Sequence, residues 1–331
     1  MTPPPSLFDR LISRPRLRWA PLIAALLILL AAFGAAALDR RLSDLITSNR
    51  WRAVLLAPSI ILYIVVISMA MERMEGRVLR SFRPLVAVDD ESFNRLLAES
   101  AHMRPRGEIL AFAAGAILGL VVVTWSLSEP ISWLTAYWLA SSILMYGLLA
   151  WTIYASLVST RLTTTLLRQP LRIGPFDAPA LHAVGMQSLV LSLVFVGGMT
   201  ISVIFSAFQS DVLRNPAFWL SYLPIVAVVV AVFFLNMPPA HRVLARARDD
   251  ELKRVQQHIQ RAGQDLLLRM EENREAGSLA TEISALAAYQ QRLEAARTWP
   301  YNTAMLRSLF FSVLVPIITV LVRTVFDRLT K

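Results

Sequence analysis

The chain contains no cysteine, which excludes disulfides, thiolate metal sites and a cysteine nucleophile. Lysine is almost as scarce. Lys253 and Lys331 are the only two, and every other basic residue is arginine. Together with abundant alanine and leucine, that bias points to a GC-rich bacterial source. No Walker or dinucleotide-binding glycine pattern occurs, and no serine sits in a nucleophile elbow. The four histidines, His102, His182, His241 and His258, lack a second ligand at metal spacing. The expectation is no catalytic residue, no metal and no cofactor, and the chain is read as a non-enzyme.

Charge is also absent from seven long apolar stretches: Trp19–Leu38, Ala53–Met71, Ile109–Leu127, Ile131–Val158, Val184–Phe208, Ala217–Met237 and Ser308–Val322. The first six have the length of roughly 17–25 residues, or slightly more, that a helix needs to cross the hydrocarbon of a bilayer. With 56% hydrophobic residues and a positive mean hydropathy, the chain reads as an all-α, polytopic helical membrane protein with seven transmembrane helices. Arg10, Arg14, Arg16 and Arg18 precede the first stretch in the manner of a secretory leader. A leader's apolar core is only ~7–15 residues long, so this stretch is read as a retained span.

The net charge of +10 does not imply nucleic acid, because the arginines cluster at the ends of apolar stretches, where topology determinants belong. With a cytoplasmic amino terminus, the inside segments hold 25 basic residues and the outside segments 8. That asymmetry places the amino terminus inside and the chain in the bacterial inner membrane. The organisation follows: a basic cytoplasmic amino terminus (1–18); a six-helix membrane domain (19–237) with cytoplasmic loops at 72–108 and 159–183; a cytoplasmic helical hairpin (238–304); and a short final helix with the carboxyl terminus (305–331).

In the hairpin, Leu252, Val255, Ile259, Ala262 and Leu266 recur at alternating spacings of three and four, a narrow helical seam. A second helix after Glu275–Ser278 carries Leu279, Ile283, Leu286 and Leu293 on one stripe, with Ser278 as its N-cap. The seam serves either a solvated hairpin or an oligomerisation coiled coil. The outgoing arm exceeds the returning one by ~20 Å. Its start, with Arg242, Arg246 and Arg248, is therefore expected to lie along lipid headgroups, or the arm to bend near Gly263. In the first cytoplasmic loop, Asp89-Asp90-Glu91 marks a helix start with its charges on the dipole. A divalent-cation site is the sharper alternative, without the alternating ligand loop such sites use. In the second loop, Gly174, Pro175 and Pro179 predict a compact connector at the cytoplasmic mouth.

The seventh stretch is the short one. Fifteen residues between Arg307 and Arg323 cover only ~22 Å, and Pro316 predicts a kink. It is a full span, a re-entrant helix or a surface-lying one, and the span is the reading adopted. Ser308, Ser312 and Thr319 share one face of it and are the candidate pore-lining residues. Proton- and ion-coupled transporters keep ionisable groups inside their spans, and these spans hold none; a channel has no such requirement. Polar side chains on the fourth helix (Thr135, Ser141, Ser142, Thr152, Ser156) and the fifth (Gln187, Ser188, Ser192, Thr200, Ser202, Ser206) read as helix packing, with a polar lining as the alternative.

This layout resembles the seven-helix ion channels that include insect odorant and gustatory receptors: a cytoplasmic amino terminus, seven segments, a long helical hairpin before a short final helix, and an external carboxyl terminus. The resemblance is one of topology. The Thr-Tyr and Gln-Phe signature of that family's last helix is absent from Thr303 to Phe326. The tail from Trp299-Pro300 through Pro316 also resembles uncharacterised bacterial multi-pass proteins. The channel resemblance implies a homotetramer with the final helices around a central pore and the hairpins as a cytoplasmic anchor. The functional expectation is a homo-oligomeric ion or small-solute channel. A non-conducting sensor or assembly scaffold that recruits a cytoplasmic protein is the alternative, ahead of a transporter or a lipid-modifying enzyme. The expected partners are membrane lipids, further copies of the chain and that cytoplasmic protein, with no nucleic acid.

Overall fold

The computed structural model describes residues 19–47, 50–100, 104–125, 132–176, 181–206, 216–235, 237–272, 274–275 and 277–329. Their regular structure is helical: α1 (Ala20–Leu38), α2 (Leu42–Thr47), α3 (Arg50–Phe82), α4 (Asp90–Ser100), α5 (Pro105–Trp125), α6 (Trp133–Leu167), α7 (His182–Ser206), α8 (Pro216–Leu235), α9 (Met237–Glu271), α10 (Gly277–Glu294) and α11 (Thr303–Leu329). Among the described residues, six regions are long and apolar enough to cross a membrane: α1, α3, α5, α6, α7, and α8 leading into α9. The protein is a polytopic helical membrane protein. In α11, 27 residues long, the apolar part described is Thr303–Val315, shorter than those six.

Helix α3 lies at the centre, against α1, α6 and α7; α5 docks on α6, while α8 and α11 dock on α7. The α5–α6 contact is the closest. Small residues recur every fourth position as Gly107, Ala111, Gly115 and Gly119, which lets two backbones approach without side chains between them. A Cβ at Gly119 would sit 2.9 Å from that of Tyr146, one at Gly115 would overlap the Tyr146 carbonyl oxygen, and one at Gly147 would come within 2.8 Å of the Phe112 ring. The outer face of α5 stays apolar, with Ile109, Leu110, Ile117 and Val121 exposed. That is the surface lipid requires.

Two helices outrun their apolar stretches. The sequence placed loops from Glu72 and from Ser159, whereas α3 stays helical to Phe82 and α6 to Leu167. The cause is a second core at this end, where Val78, Phe82, Val86, Phe93, Leu97, Leu162, Leu166, Leu181, Val184, Ala240 and Leu244 pack together. Each of the three long polar connections contributes to it. An antiparallel bridge between Val86 and Leu171 ties the first connection to the second, with Ala87 N–H donating to Pro170 O at 2.9 Å and Arg172 N–H to Leu85 O at 2.7 Å. The three connections therefore share one end of the bundle.

At the opposite end, α1 closes with Arg40 at φ 52°. The Arg41 N–H reaches Ala36 O and the Arg40 N–H reaches Ala37 O, at 2.9 and 3.0 Å. This is the paired-bond helix terminator that glycine usually supplies. It aims the Asp39 carboxylate at the start of α6, where it accepts from Trp133 N–H at 3.1 Å and Leu134 N–H at 2.8 Å. These bonds hold the carboxyl below its ordinary pKa of 3.8, Leu134's contributing most.

Candidate functional site

The hydroxyl-bearing faces of α6 and α7 lie inside the bundle. Ser141, Ser142, Thr152, Ser156, Gln187, Ser188 and Ser192 are all buried. Three of these hydroxyls are spent locally: Ser141 donates to Trp138 O, Thr152 to Leu148 O and Ser156 to Thr152 O, as Thr160 does to Ser156 O, each about one helical turn back. Ser192 crosses to Val229 O on α8 at 3.1 Å. The Ser192 bond joins two helices, while the others satisfy carbonyls of their own helix.

Gln187 differs, since both ends of its amide bond to side chains on the neighbouring helix. Its Nε2 donates to Ser159 Oγ at 2.8 Å, and its Oε1 accepts from Thr163 Oγ1 at 2.9 Å. Gln187 and Ser159 also line a cleft between α3, α6 and α7, with Trp151 and Thr152 deeper and Ser68, Glu72 and Glu75 along α3. The cavity measures about 80 Å³. At ~30 Å³ per water this holds two or three waters or one ion, whereas drug-sized ligands need ~300–1,000 Å³. The sequence reading missed the two glutamates because it ended the second span at Met71. The signal was present, since Ser68, Glu72 and Glu75 follow one another at spacings of four and three on one helix face. Glu108 was missed likewise: assigned to a loop, it lies in the first turn of α5 and is only 3% exposed.

The final helix seats on α7 by one side. Met305 and Leu309 are buried there, with Leu306 and Val313 packed beside them. Phe310, Phe311, Val315, Ile318 and Val322 remain exposed. At ~100° per residue, Ser308, Ser312 and Thr319 form a stripe between the docked side and the exposed Phe311–Val315–Ile318–Val322 side. Ser308 is exposed and Ser312 half-buried; the Thr319 side chain lies outside the described residues.

The five seam residues fall on α9. Val255 and Ala262 are buried, and Leu252, Ile259 and Leu266 are half-buried. Helix α10 lies against α9 in the opposite direction, with its stripe residues Leu279, Ile283 and Leu286 half-buried and Leu293 fully buried. The Tyr289 hydroxyl reaches Glu251 Oε1 at 3.5 Å, and the neighbouring carboxylate raises the phenol's pKa together with desolvation, the larger cause. Helix α9 passes Gly263 without a break. Its arginine-bearing start is packed on the bundle: Ala240 and Leu244 are buried in the second core, and His241 stacks on Trp299, with ring centres 4.0 Å apart. That stack and the His241 Nδ1 to Thr298 O contact at 3.1 Å bring the returning chain against the base of α9. The arm-length mismatch is absorbed there.

In the acidic triplet, Asp89 is the cap of α4. Its Oδ2 accepts the Ser92 N–H at 3.0 Å, a bond that depresses the carboxyl pKa. Asp90 pairs with Arg83, and Glu91 with Arg95 at 3.0 Å. Among the described residues, no group of three or more acidic or histidine side chains is arranged to hold a metal ion. The fold and these sites define a polytopic helical membrane protein with its polar connections gathered at one end. Comparison with protein-family models, curated proteins and solved structures finds no match to the chain.

Proposed function

We propose that the protein is a homo-oligomeric channel for ions or small solutes in the bacterial inner membrane. In this reading the amino terminus and the α9–α10 hairpin are cytoplasmic, α11 is the seventh span, and the α11 helices of several copies surround a pore. The one-sided seating of α11 carries the reading. A helix held on one side through Met305, Leu306, Leu309 and Val313, with Phe311, Val315 and Ile318 uncovered, stands at the edge of the bundle, where copies would meet. Its hydroxyl stripe then lies beside the contact between copies, facing the axis. The topological resemblance adds the tetramer. Purified protein reconstituted in a planar bilayer should give unitary current steps; a bilayer that stays silent while the protein is shown to be inserted overturns the proposal.

A second reading is favoured by the local bonding of the α6 hydroxyls Thr152, Ser156 and Thr160, whose protons are spent on carbonyls of their own helix. The protein would then be a non-conducting sensor or assembly scaffold. Its cytoplasmic platform would be the α9–α10 pair, whose far end exposes Leu267, Leu268 and Met270. Capture of a defined cytoplasmic partner that depends on these three residues would support it.

A further inference from the structure

Where α9 leaves the bundle it forms one wall of a groove of about 660 Å³, closed on the other side by the end of α6 and the segment from Arg168 to Pro175. Arg242 and Arg246 project into it from consecutive turns of α9, and Arg168 meets them from the end of α6. Arginines at i and i+4 share a helix face ~6 Å apart along the axis. Four other arginines at this end are engaged with carboxylates: Arg83 with Asp90, Arg95 with Glu91, Arg248 with Asp249, Arg254 with Glu251. Arg168, Arg242 and Arg246 have no carboxylate partner among the described residues. Gln169 adds an amide to the same lining. The groove's two acids stand toward its far end, Glu251 being occupied by Arg254 and Tyr289.

The charge balance selects the ligand. Three unengaged guanidiniums against Asp250 leave about two positive charges, which matches the −1.5 to −2 of a phosphate monoester near pH 7. Arginine forks suit phosphate oxygens in geometry as well as charge. The volume lies within the ~300–1,000 Å³ of ordinary ligand sites, far above the cleft between α3, α6 and α7. Arg242 stands seven residues past the end of α8, or ~10 Å along the helix, so the groove begins near headgroup depth and opens outward.

We propose that this groove binds a phosphate-bearing ligand, presented either by an anionic lipid headgroup or by a soluble phosphorylated molecule. A phosphate there would bridge α6 to α9 and hold the α9–α10 pair against the bundle. The proposal stands independently of whether the protein conducts.

The test uses the full-length protein and two probes. Inorganic phosphate is titrated against chloride at matched ionic strength, following thermal stability in detergent. Retention of phosphatidic acid, the lipid whose headgroup is a phosphate monoester, is read by native mass spectrometry against phosphatidylcholine. Arg168→Gln, Arg242→Gln and Arg246→Gln should each weaken binding roughly tenfold, the effect of losing one charge-assisted hydrogen bond. Arg246→Lys should keep part of it, and Arg261→Gln, on an exposed stretch of α9 outside the groove, should change nothing. Gel filtration confirms that each variant is folded. Response to phosphate alone assigns a soluble ligand, and selective lipid retention alone assigns a headgroup; both support the site. Binding of neither probe, or variants that bind as wild type does, overturns it.

Discussion

Asp39, at the end of the first span, accepts the main-chain N–H of Leu134 at 2.8 Å, 95 residues further along the chain. The bond pins the end of α1 to the start of α6, and so fixes two connections to one side of the bundle. At the other end, the core shared by Val78, Leu166 and Leu244 joins three connections. Together they predict alternation: reporter fusions after Glu91, Leu171 and Gln264 should all report the cytoplasm, and one after Ser210 the exterior. The charge asymmetry supplies the absolute direction. An external signal at Gln264 would reverse it.

Removing that cap should lower thermal stability in detergent. Asp39→Ala strands two N–H groups at the start of α6 and removes a negative charge from a helix N-terminus. The pH dependence has a definite sign. Because the folded carboxyl titrates below its ordinary 3.8, its contribution is present above that value and is lost as pH falls through the lower, folded one. Thermal scans from pH 6 toward pH 3 should therefore show wild type and Asp39→Ala converging in acid. Curves that stay parallel would show that the carboxylate contributes nothing.

Close approach of α5 and α6 should make glycine obligatory there. Gly115→Leu or Gly119→Leu forces side-chain volume against Tyr146, an overpacking cost of about 1–3 kcal/mol or more. Gly34→Leu meets nothing within 4 Å and is the control. Equal melting temperatures for Gly34→Leu and Gly119→Leu would refute the packing account.

Gln187 should matter for stability in proportion to what it leaves unpaired. Gln187→Ala removes the amide bonded to Ser159 and Thr163 and opens a void, costing about 1–3 kcal/mol. Gln187→Leu should cost less, because it fills the space; Thr163 keeps its bond to Ser159 O at 3.1 Å in both variants. Chemical denaturation of the two variants orders them.

Much of the fold was legible in composition alone. Six apolar stretches become six long helices because a bilayer allows little else at that length. The helix ends were not legible. Hydropathy fell at Glu72 and Ser159, yet the helices continued, held by Phe82 and Leu166 in a core assembled from segments distant in sequence. For the same reason hydropathy alone leaves Glu72, Glu75 and Glu108 outside the helices that hold them. The seam was visible as a periodic pattern, but a pattern does not say which surface covers it. In the single chain Val255 is already covered while Ile259 is half-buried, a division that periodicity cannot make.

That division is itself testable. Val255→Asp places a charge in the buried part of the seam, a cost of several kcal/mol, and should make α9 and α10 sensitive to limited proteolysis. Ile259→Asp should leave the pair folded and dissociate the oligomer. An unchanged mass by light scattering for Ile259→Asp would remove the seam from the interface between copies.

The central claim is that the hydroxyl stripe of α11 faces a conduit. The native chain has no cysteine, so Ser308→Cys, Ser312→Cys and Thr319→Cys are unambiguous reporters. Water-soluble thiol reagents applied during a planar-bilayer recording should label all three and reduce the unitary current, Ser312→Cys and Thr319→Cys most. If those two stay unlabelled while a cysteine at Ser210 reacts fully, α11 is packing rather than pore, and the channel account is contradicted.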